Sequence, residues 1–302
     1  MAVIELLDSG ERYALSSRHV IGRAPSCSLR VDDLLVSGFH AELSWDGHGW
    51  NVQDLGSRNG TVVNERKLAS GEQVPLTRGC ELVLAGRRRF RLIDDSPPSL
   101  MATTPDGTVR VAEHNILCLP DEDEPELTIY RDIDDSWVVE SRDGTRPAQE
   151  DESLFAGGRP WRLLLPTSVL DTRELDEMQL HDLELCFFVS RDGEHIELQL
   201  HSRHREPVVL ESRAHMALLL VLARARLADI QEGVPPSEAG WVYRDELPRM
   251  LGTQPHMVNL WVHRARKQLA QQGLRDAATI IERRAAATQL RLSPSRLRVE
   301  DA

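Results

Sequence analysis

From Met1 to Ile93 apolar and polar positions alternate in short runs, at Arg12–Leu15, His40–Trp45, Gly49–Asp54, Glu81–Leu84 and Arg89–Ile93, separated by clusters of Gly, Asn, Asp and Ser. A period of two puts one side of each run in a core and the other in water, so residues 1–95 read as a small all-β sandwich. A linker rich in Pro, Ser and Asp follows over 96–108. Residues 109–166 are strand-like again, interrupted by the acidic run Asp121–Glu126, and a second, acidic linker spans 167–182. In the last unit, 183–302, strands at Leu185–Ser190, His195–His201 and Val208–Glu211 give way to helical spacing. A helix over Arg213–Ile230 is apolar almost all round its central turns, as a buried core helix is. A second begins near Val242, with Pro248 bending or shortening it. A third starts at Thr253, an N-cap with Pro255 in the first turn, and stops by Gly273. Two strand-like pieces, Thr279–Arg284 and Gln289–Leu292, close the chain.

One internal echo stands out. Glu42-Leu-Ser-Trp45, Gly49-Trp-Asn-Val-Gln-Asp54 and Asn59-Gly-Thr61 are matched in order by Glu126-Leu-Thr-Ile129, Ser136-Trp-Val-Val-Glu140 and Asp143-Gly-Thr145. Either the middle segment is a shortened relative of the first sandwich, or two β-hairpins coincide. The order of strands decides between them.

Charge changes the picture more by its distribution than by its total. The chain of 302 residues carries a formal net charge of -12, made up of +1 over residues 1–93, -18 over 94–200 and +5 over 201–302. A basic C-terminal third beside an acidic centre hides nucleic-acid chemistry from a whole-chain value. The acidic middle can also occupy a basic helix of the last unit at rest. The four cysteines, Cys27, Cys80, Cys118 and Cys186, form no C-x-x-C pair, which argues against a zinc site or disulfide framework and for a reducing compartment. The first residues run straight into a strand with no basic lead, and the longest apolar run, Met216–Ala223, is far short of the roughly 20 residues a bilayer needs. A cytoplasmic protein without a membrane partner is expected.

The chemistry-bearing residues lie first in loops of the N-terminal sandwich: Gly22-Arg23, then Ser37-Gly-Phe-His40, then Gly56-Ser-Arg-Asn-Gly-Thr61, with Asn64 following. This ordered set resembles the signature of the forkhead-associated (FHA) family. The resemblance implies a β-sandwich that binds phosphothreonine on loops at one end. It implies that Arg23 and Ser37 contact the phosphate, that Arg58 touches it from a neighbouring loop, and that Asn59 bonds the peptide backbone. Gly22, His40, Gly60 and Asn64 are implied as architectural. The residue types suit the task, since a phosphothreonine carries about -1.5 to -2 charges and three acceptor oxygens. A fixed guanidinium fork and short neutral donors answer that need better than an acid or base. The sequence departs from the family at Gly38, where a polar residue that can add a phosphate contact is usual.

In the third C-terminal helix Val258, Val262, Ala265 and Leu269 share one face, and Asn259, His263 and Arg266 share the opposite, outward one, flanked by Arg264 and Lys267. With the preceding strands and the closing hairpin, residues Leu183–Val299 resemble an OmpR-type α/β winged helix-turn-helix domain. That resemblance implies double-stranded DNA as a partner, with Asn259, His263 and Arg264 at base edges, Arg266 and Lys267 on phosphates and Arg284 on the wing. Trp261, and a wing loop without glycines, depart from the pattern.

No phosphate-binding glycine loop, nucleophile elbow or kinase signature occurs, and Asp132, Asp134 and Asp135 lack the glycine and distal glutamate of an EF-hand. A multidomain non-enzyme without cofactor or metal is therefore expected. Two functions stay open: a transcriptional regulator in which a phosphothreonine-bearing protein, a Ser/Thr kinase or its substrate, governs a DNA-binding unit, or a protein-interaction scaffold.

Overall fold

The computed structural model describes residues 1–166, 178–202, 205–284 and 288–301. The chain divides into two compact units, one of Met1–Met101 with residues 164–166, the other of Ala102–Leu163 with the described residues from Met178 onward.

In the first unit the strands are β1 (Val3–Leu6), β2 (Glu11–Ala14), β3 (Arg18–Gly22), β4 (Leu29–Arg30), β5 (Ala41–Trp45), β6 (Trp50–Asp54), β7 (Thr61–Val63), β8 (Arg66–Lys67), β9 (Gln73–Leu76), β10 (Glu81–Leu84) and β11 (Arg88–Asp94). They form two sheets, β2-β1-β11-β10-β7-β8 and β4-β3-β5-β6-β9. Alternate residues of both, among them Ile4, Ile21, Leu43, Trp50, Val52, Leu82, Phe90 and Leu92, make one core. The register sets the position of the loops. Ile21 pairs with Ala41 and Ala41 with Asp54, so the end of β3, the start of β5 and the end of β6 lie side by side. The segments 31–40 and 55–60 therefore emerge at one end of the sandwich.

The second unit begins with eight strands: β12 (Met101–Thr103), β13 (Val109–Val111), β14 (Leu117–Leu119), β15 (Leu127–Arg131), β16 (Trp137–Ser141), β17 (Gly144–Pro147), β18 (Ser153–Ala156) and β19 (Arg159–Leu164). Their sheets are β13-β12-β19-β18 and β14-β15-β16-β17. This is the order β2-β1-β11-β10 and β3-β5-β6-β9 of the first sandwich, with β4, β7 and β8 left out. Where the first sandwich crosses between sheets after β6, the second makes a tight hairpin, and Ser141 pairs directly with Gly144. Within 96–108, read above as linker, Met101–Thr103 is a strand with Met101 and Ala102 fully buried, because it completes the sheet beside β19.

The rest of the unit comprises β20 (Leu183–Val189), β21 (Ile196–Ser202), β22 (Val208–Leu210), α1 (Met216–Gln231), β23 (Val242–Tyr243), α2 (Leu247–Leu251), α3 (Pro255–Gln271), β24 (Ile281–Arg284), β25 (Gln289–Leu292) and β26 (Leu297–Asp301). One sheet runs β22-β21-β20-β26, the other β23-β25-β24. Three details differ from the sequence reading. The helix expected from Val242 is a two-residue strand there, and Pro248 stands at the first turn of α2, where its missing N–H costs nothing, rather than bending a longer helix. The residue before α3 in cap position is Gln254, not Thr253. A last strand, β26, pairs in parallel with β20. Of the acidic linker, residues 167–177 lie outside the described residues, while Leu180–Asp182 form a 3-10 turn whose Leu180 N–H donates to Asp276.

The four-stranded sheet β14–β17 is apolar or paired on both faces. Leu117, Leu119, Ile129 and Val139 are buried on one side, and Cys118, Tyr130, Val138 and Glu140 on the other. The second set packs against α3: Cys118, Tyr130 and Val138 join the core that holds Val258, Val262, Ala265 and Leu269. Helix α3 is consequently covered on both sides. The face read as outward is not: His263 is 4% exposed and Arg266 0%.

Candidate functional site

Two loops at the open end of the first sandwich, and the end of β3 beside them, are held together by one histidine. His40 is fully buried, and burial lowers its pKa, so the ring is neutral. Its Nδ1 accepts from the Ser37 backbone N–H at 3.0 Å, which leaves the proton on Nε2 to be donated to the Gly60 carbonyl at 3.1 Å. Its backbone N–H donates to Ile21 and its carbonyl accepts from Leu55 N–H, both at 3.0 Å. One residue thus spans β3, the segment carrying Ser37 and the segment carrying Arg58 and Asn59.

Around this brace the donors are set out. Arg23 is exposed at the end of β3, its backbone N–H fixed on the Ser37 carbonyl at 2.9 Å. The Ser37 hydroxyl accepts from the Arg58 backbone N–H at 3.0 Å, so its own proton remains to be donated outward. Among the described residues, neither the Arg23 nor the Arg58 guanidinium has a carboxylate partner, and both residues are exposed. Asn59 donates its side-chain amide to the Leu35 carbonyl at 2.7 Å, joining the two loops from the solvent side. Beneath them Asp54 accepts from Gly56 N–H, Ser57 N–H, Ser57 O–H and Thr61 O–H at 2.6–2.9 Å. Burial pushes its carboxyl up, but these bonds outweigh it and hold the group below the ordinary range.

Two glycines are required by geometry. A Cβ on Gly22 would lie 2.2 Å from the Gly38 carbonyl oxygen, a backbone atom tied in turn to Ala24 N–H. Gly60 has φ +87°, a conformation that L side chains rarely adopt. Asn64 also lies at positive φ, +46°, where its side-chain oxygen accepts from Glu81 N–H. Gly38, by contrast, has nothing within 4 Å of the point where a Cβ would stand. Replacing Gly38 with asparagine therefore adds a donor beside Ser37 at a position where a Cβ meets open space. It is expected to tighten phosphopeptide binding about three- to tenfold, the worth of one further hydrogen bond. Isothermal titration of the variant checks this, and weaker binding would contradict it.

The residues assigned to a nucleic-acid face are placed differently. The Arg266 guanidinium donates to both oxygens of Glu140 at 2.9 and 2.8 Å and to the Ile281 carbonyl at 3.0 Å, over the Tyr130 ring. Arg283 Nε lies 2.8 Å from the same carboxylate, within ion-pair distance though not aligned as a hydrogen bond. Burial pushes Glu140 up, but the two guanidiniums override it and hold the carboxyl at about 2. His263 Nδ1 lies 3.0 Å from Cys118 Sγ, and burial pushes that thiol up to about 12, so the thiol donates to a neutral ring. Lys267 pairs with Glu122 at 2.6 Å and Glu113 at 2.8 Å. Asn259 Oδ1 accepts weakly from Arg283 at 3.4 Å, and Arg284 pairs with Glu238 above the Trp241 ring. Only Arg264 of the α3 cations is exposed. Sequence spacing identified the polar face of α3 but missed Glu140, Glu122 and Glu113, which occupy it.

Burial lowers the pKa of His40, His215 and His263 alike. Below the unfolded value of about 6.5 the unfolded chain binds protons that the folded chain does not, so this contribution is complete above pH 6.5 and is lost as pH falls. The melting temperature is expected to drop between pH 7.5 and 5.5, the interval around the unfolded histidine value. Thermal melts across that interval read it, and a flat profile would contradict it.

Residues 19–85 match the family model of the FHA domain. The chain is 40% identical over 77 residues to the FHA domain-containing protein FhaB of Mycobacterium tuberculosis, covering 25% of this chain and 50% of that protein. It is 33% identical over 88 residues to the glycogen accumulation regulator GarA of the same organism, covering 27% and 54%. The chain thus spans about half the length of these curated relatives. Among solved structures, the FhaA FHA domain complexed with the intracellular domain of Rv3910 aligns at 31% identity and a TM-score of 0.28, covering 30% of this chain and 99% of that one. The matched stretch contains Gly22, Arg23, Ser37, His40, Arg58, Asn59, Gly60 and Asn64.

Proposed function

We propose, from the FHA domain at residues 19–85, that this protein is a signalling adaptor that docks a phosphothreonine-bearing partner, a Ser/Thr kinase or its substrate, at the loop end of the first sandwich. The observation that carries the reading is the state of Ser37. Its hydroxyl oxygen is engaged by Arg58 N–H and its backbone N–H by His40, so the hydroxyl proton is the one donor it has left, in a loop pair that also carries the exposed Arg58 and is tied to the exposed Arg23 through the Ser37 carbonyl. Such an array of donors suits a dianionic phosphate. The experiment is a titration of the protein with one peptide in three forms, bearing phosphothreonine, phosphoserine or threonine. Phosphothreonine is expected to bind at least about tenfold tighter than either other form, a difference of about 1.4 kcal/mol. Equal binding of the threonine form would reject the reading.

A second reading concerns the C-terminal part, which the sequence likens to an OmpR-type winged helix binding duplex DNA. What favours it is the succession α2, α3 and the hairpin β24–β25, with Asn259, His263, Arg264, Arg266, Lys267 and Arg284 on the last helix and hairpin. With Arg266 and Lys267 paired to carboxylates, duplex binding requires that the second sandwich first leave α3. If it never leaves, the protein is a scaffold.

A further inference from the structure

The contact between the second sandwich and α3 is unusual in what it buries. Its centre is an ion cluster, Glu140 with Arg266 and Arg283, and its edge holds Lys267 between Glu113 and Glu122. Its apolar part includes Ile116, Cys118, Tyr130 and Val138, which share a core with α3. Three cations of α3 and the hairpin are each answered by a carboxylate from the sandwich. The Glu140 carboxylate takes Arg266 through two parallel bonds, the geometry in which guanidinium also takes a phosphate.

We infer that the second sandwich is a releasable cover on α3, its carboxylates standing where the phosphates of a polyanion would stand, and that a polyanion competes with it for those cations. A buried ion cluster fixes register but contributes little net stability over apolar packing. Interfaces of this polar kind within a chain resemble transient ones. The edge pairs are partly open to water, with Glu113 and Glu122 side chains 58% and 41% exposed, so salt and competing anions reach them first. The choice of duplex DNA as the polyanion rests on the second reading above; the cover itself does not.

Cys118 reports on the contact, because its thiol is 5% exposed and lies against His263 on α3. The full chain is treated with iodoacetamide, and labelling at Cys118 and at Cys27, a buried cysteine of the first unit, is followed by mass spectrometry. The proteins are wild type, Glu113→Gln/Glu122→Gln and Glu140→Gln, each with and without a 20-base-pair duplex whose binding is measured in parallel. The edge variant keeps the buried cluster and so keeps the fold if Glu140→Gln does not. Labelling of Cys118 is expected to quicken roughly fivefold or more in the edge variant, with Cys27 unchanged. Duplex is expected to quicken it further, and to bind the variant more tightly than wild type. Quickening in the variant without any duplex binding supports the cover and rejects DNA as its competitor. Duplex binding with Cys118 still protected, or Cys118 labelled equally slowly in wild type and edge variant, overturns the cover.

Discussion

Replacing Arg23 with alanine is expected to reduce phosphothreonine-peptide affinity at least about 100-fold, a loss of about 2.7 kcal/mol, while leaving the melting temperature unchanged. The reasoning is local. Arg23 stands exposed at the end of β3, and its side chain makes no ion pair with the described residues, so removing it costs the fold nothing. Its backbone N–H, which ties β3 to the Ser37 segment, survives the substitution. What is lost is a fixed charge facing a dianion, and hydrogen bonds to charged groups contribute about 1.5–3 kcal/mol each. Lysine at the same position restores charge without the planar fork and is expected to recover only part of the affinity. Fluorescence anisotropy with a labelled peptide measures both variants. An unchanged titration for Arg23→Ala would remove Arg23 from the pocket.

The other large effect lies in the second unit. Arg266→Met is expected to destabilise it by about 3–5 kcal/mol, since removing one partner leaves the other charge buried and underpaired. For a unit of this size that lowers the melting temperature on the order of 10 °C. Arg266 is wholly buried, and among the described residues Glu140, at 2% exposure, then keeps Arg283 as its ion-pair partner and the Tyr130 hydroxyl at 3.0 Å. Replacing Glu140, Arg266 and Arg283 together with methionine is expected to recover most of the loss, because no charge is then left unanswered. Calorimetry separates the two units, and phosphopeptide binding by the first is expected to be unaffected. If the single variant melts like wild type, the cluster is not a structural centre.

Much of the fold was legible because a period of two survives in half-buried strands. The runs at Glu81–Leu84 and Gln289–Leu292 coincide with β10 and β25, and the others fall within a few residues of theirs. The echo between Trp50 and Trp137 falls on β6 and β16, and the strand orders of the two sandwiches coincide once β4, β7 and β8 are set aside. What failed were inferences that need a partner distant in sequence. Strand β26 reads Leu-Arg-Val-Glu-Asp, a charged string that becomes a strand only because β20 lies beside it. The periodicity of α3 showed that Asn259, His263 and Arg266 share a side, but a polar stripe looks the same whether it meets water or carboxylates. Glu140, 126 positions before Arg266, decides the matter. In the loops of the first sandwich the ordered motif carried the reading, yet spacing alone did not show that the Ser37 hydroxyl is held as an acceptor by Arg58.

The hairpin that replaces the β7–β8 crossing in the second sandwich has a consequence for evolution of the chain. A sandwich that meets its partner through loops can change specificity one loop at a time, while one that meets it through a sheet face is bound by the pleat, where every second residue is committed. The turn at Arg142–Asp143 connects β16 to β17 without crossing between sheets, and Cys118, Tyr130 and Val138 on the outer side of β14–β16 pack into the core that holds α3. The loops around Ser37 and Arg58 can thus take up substitutions one at a time. The second must change in step with α3, one side chain answering another.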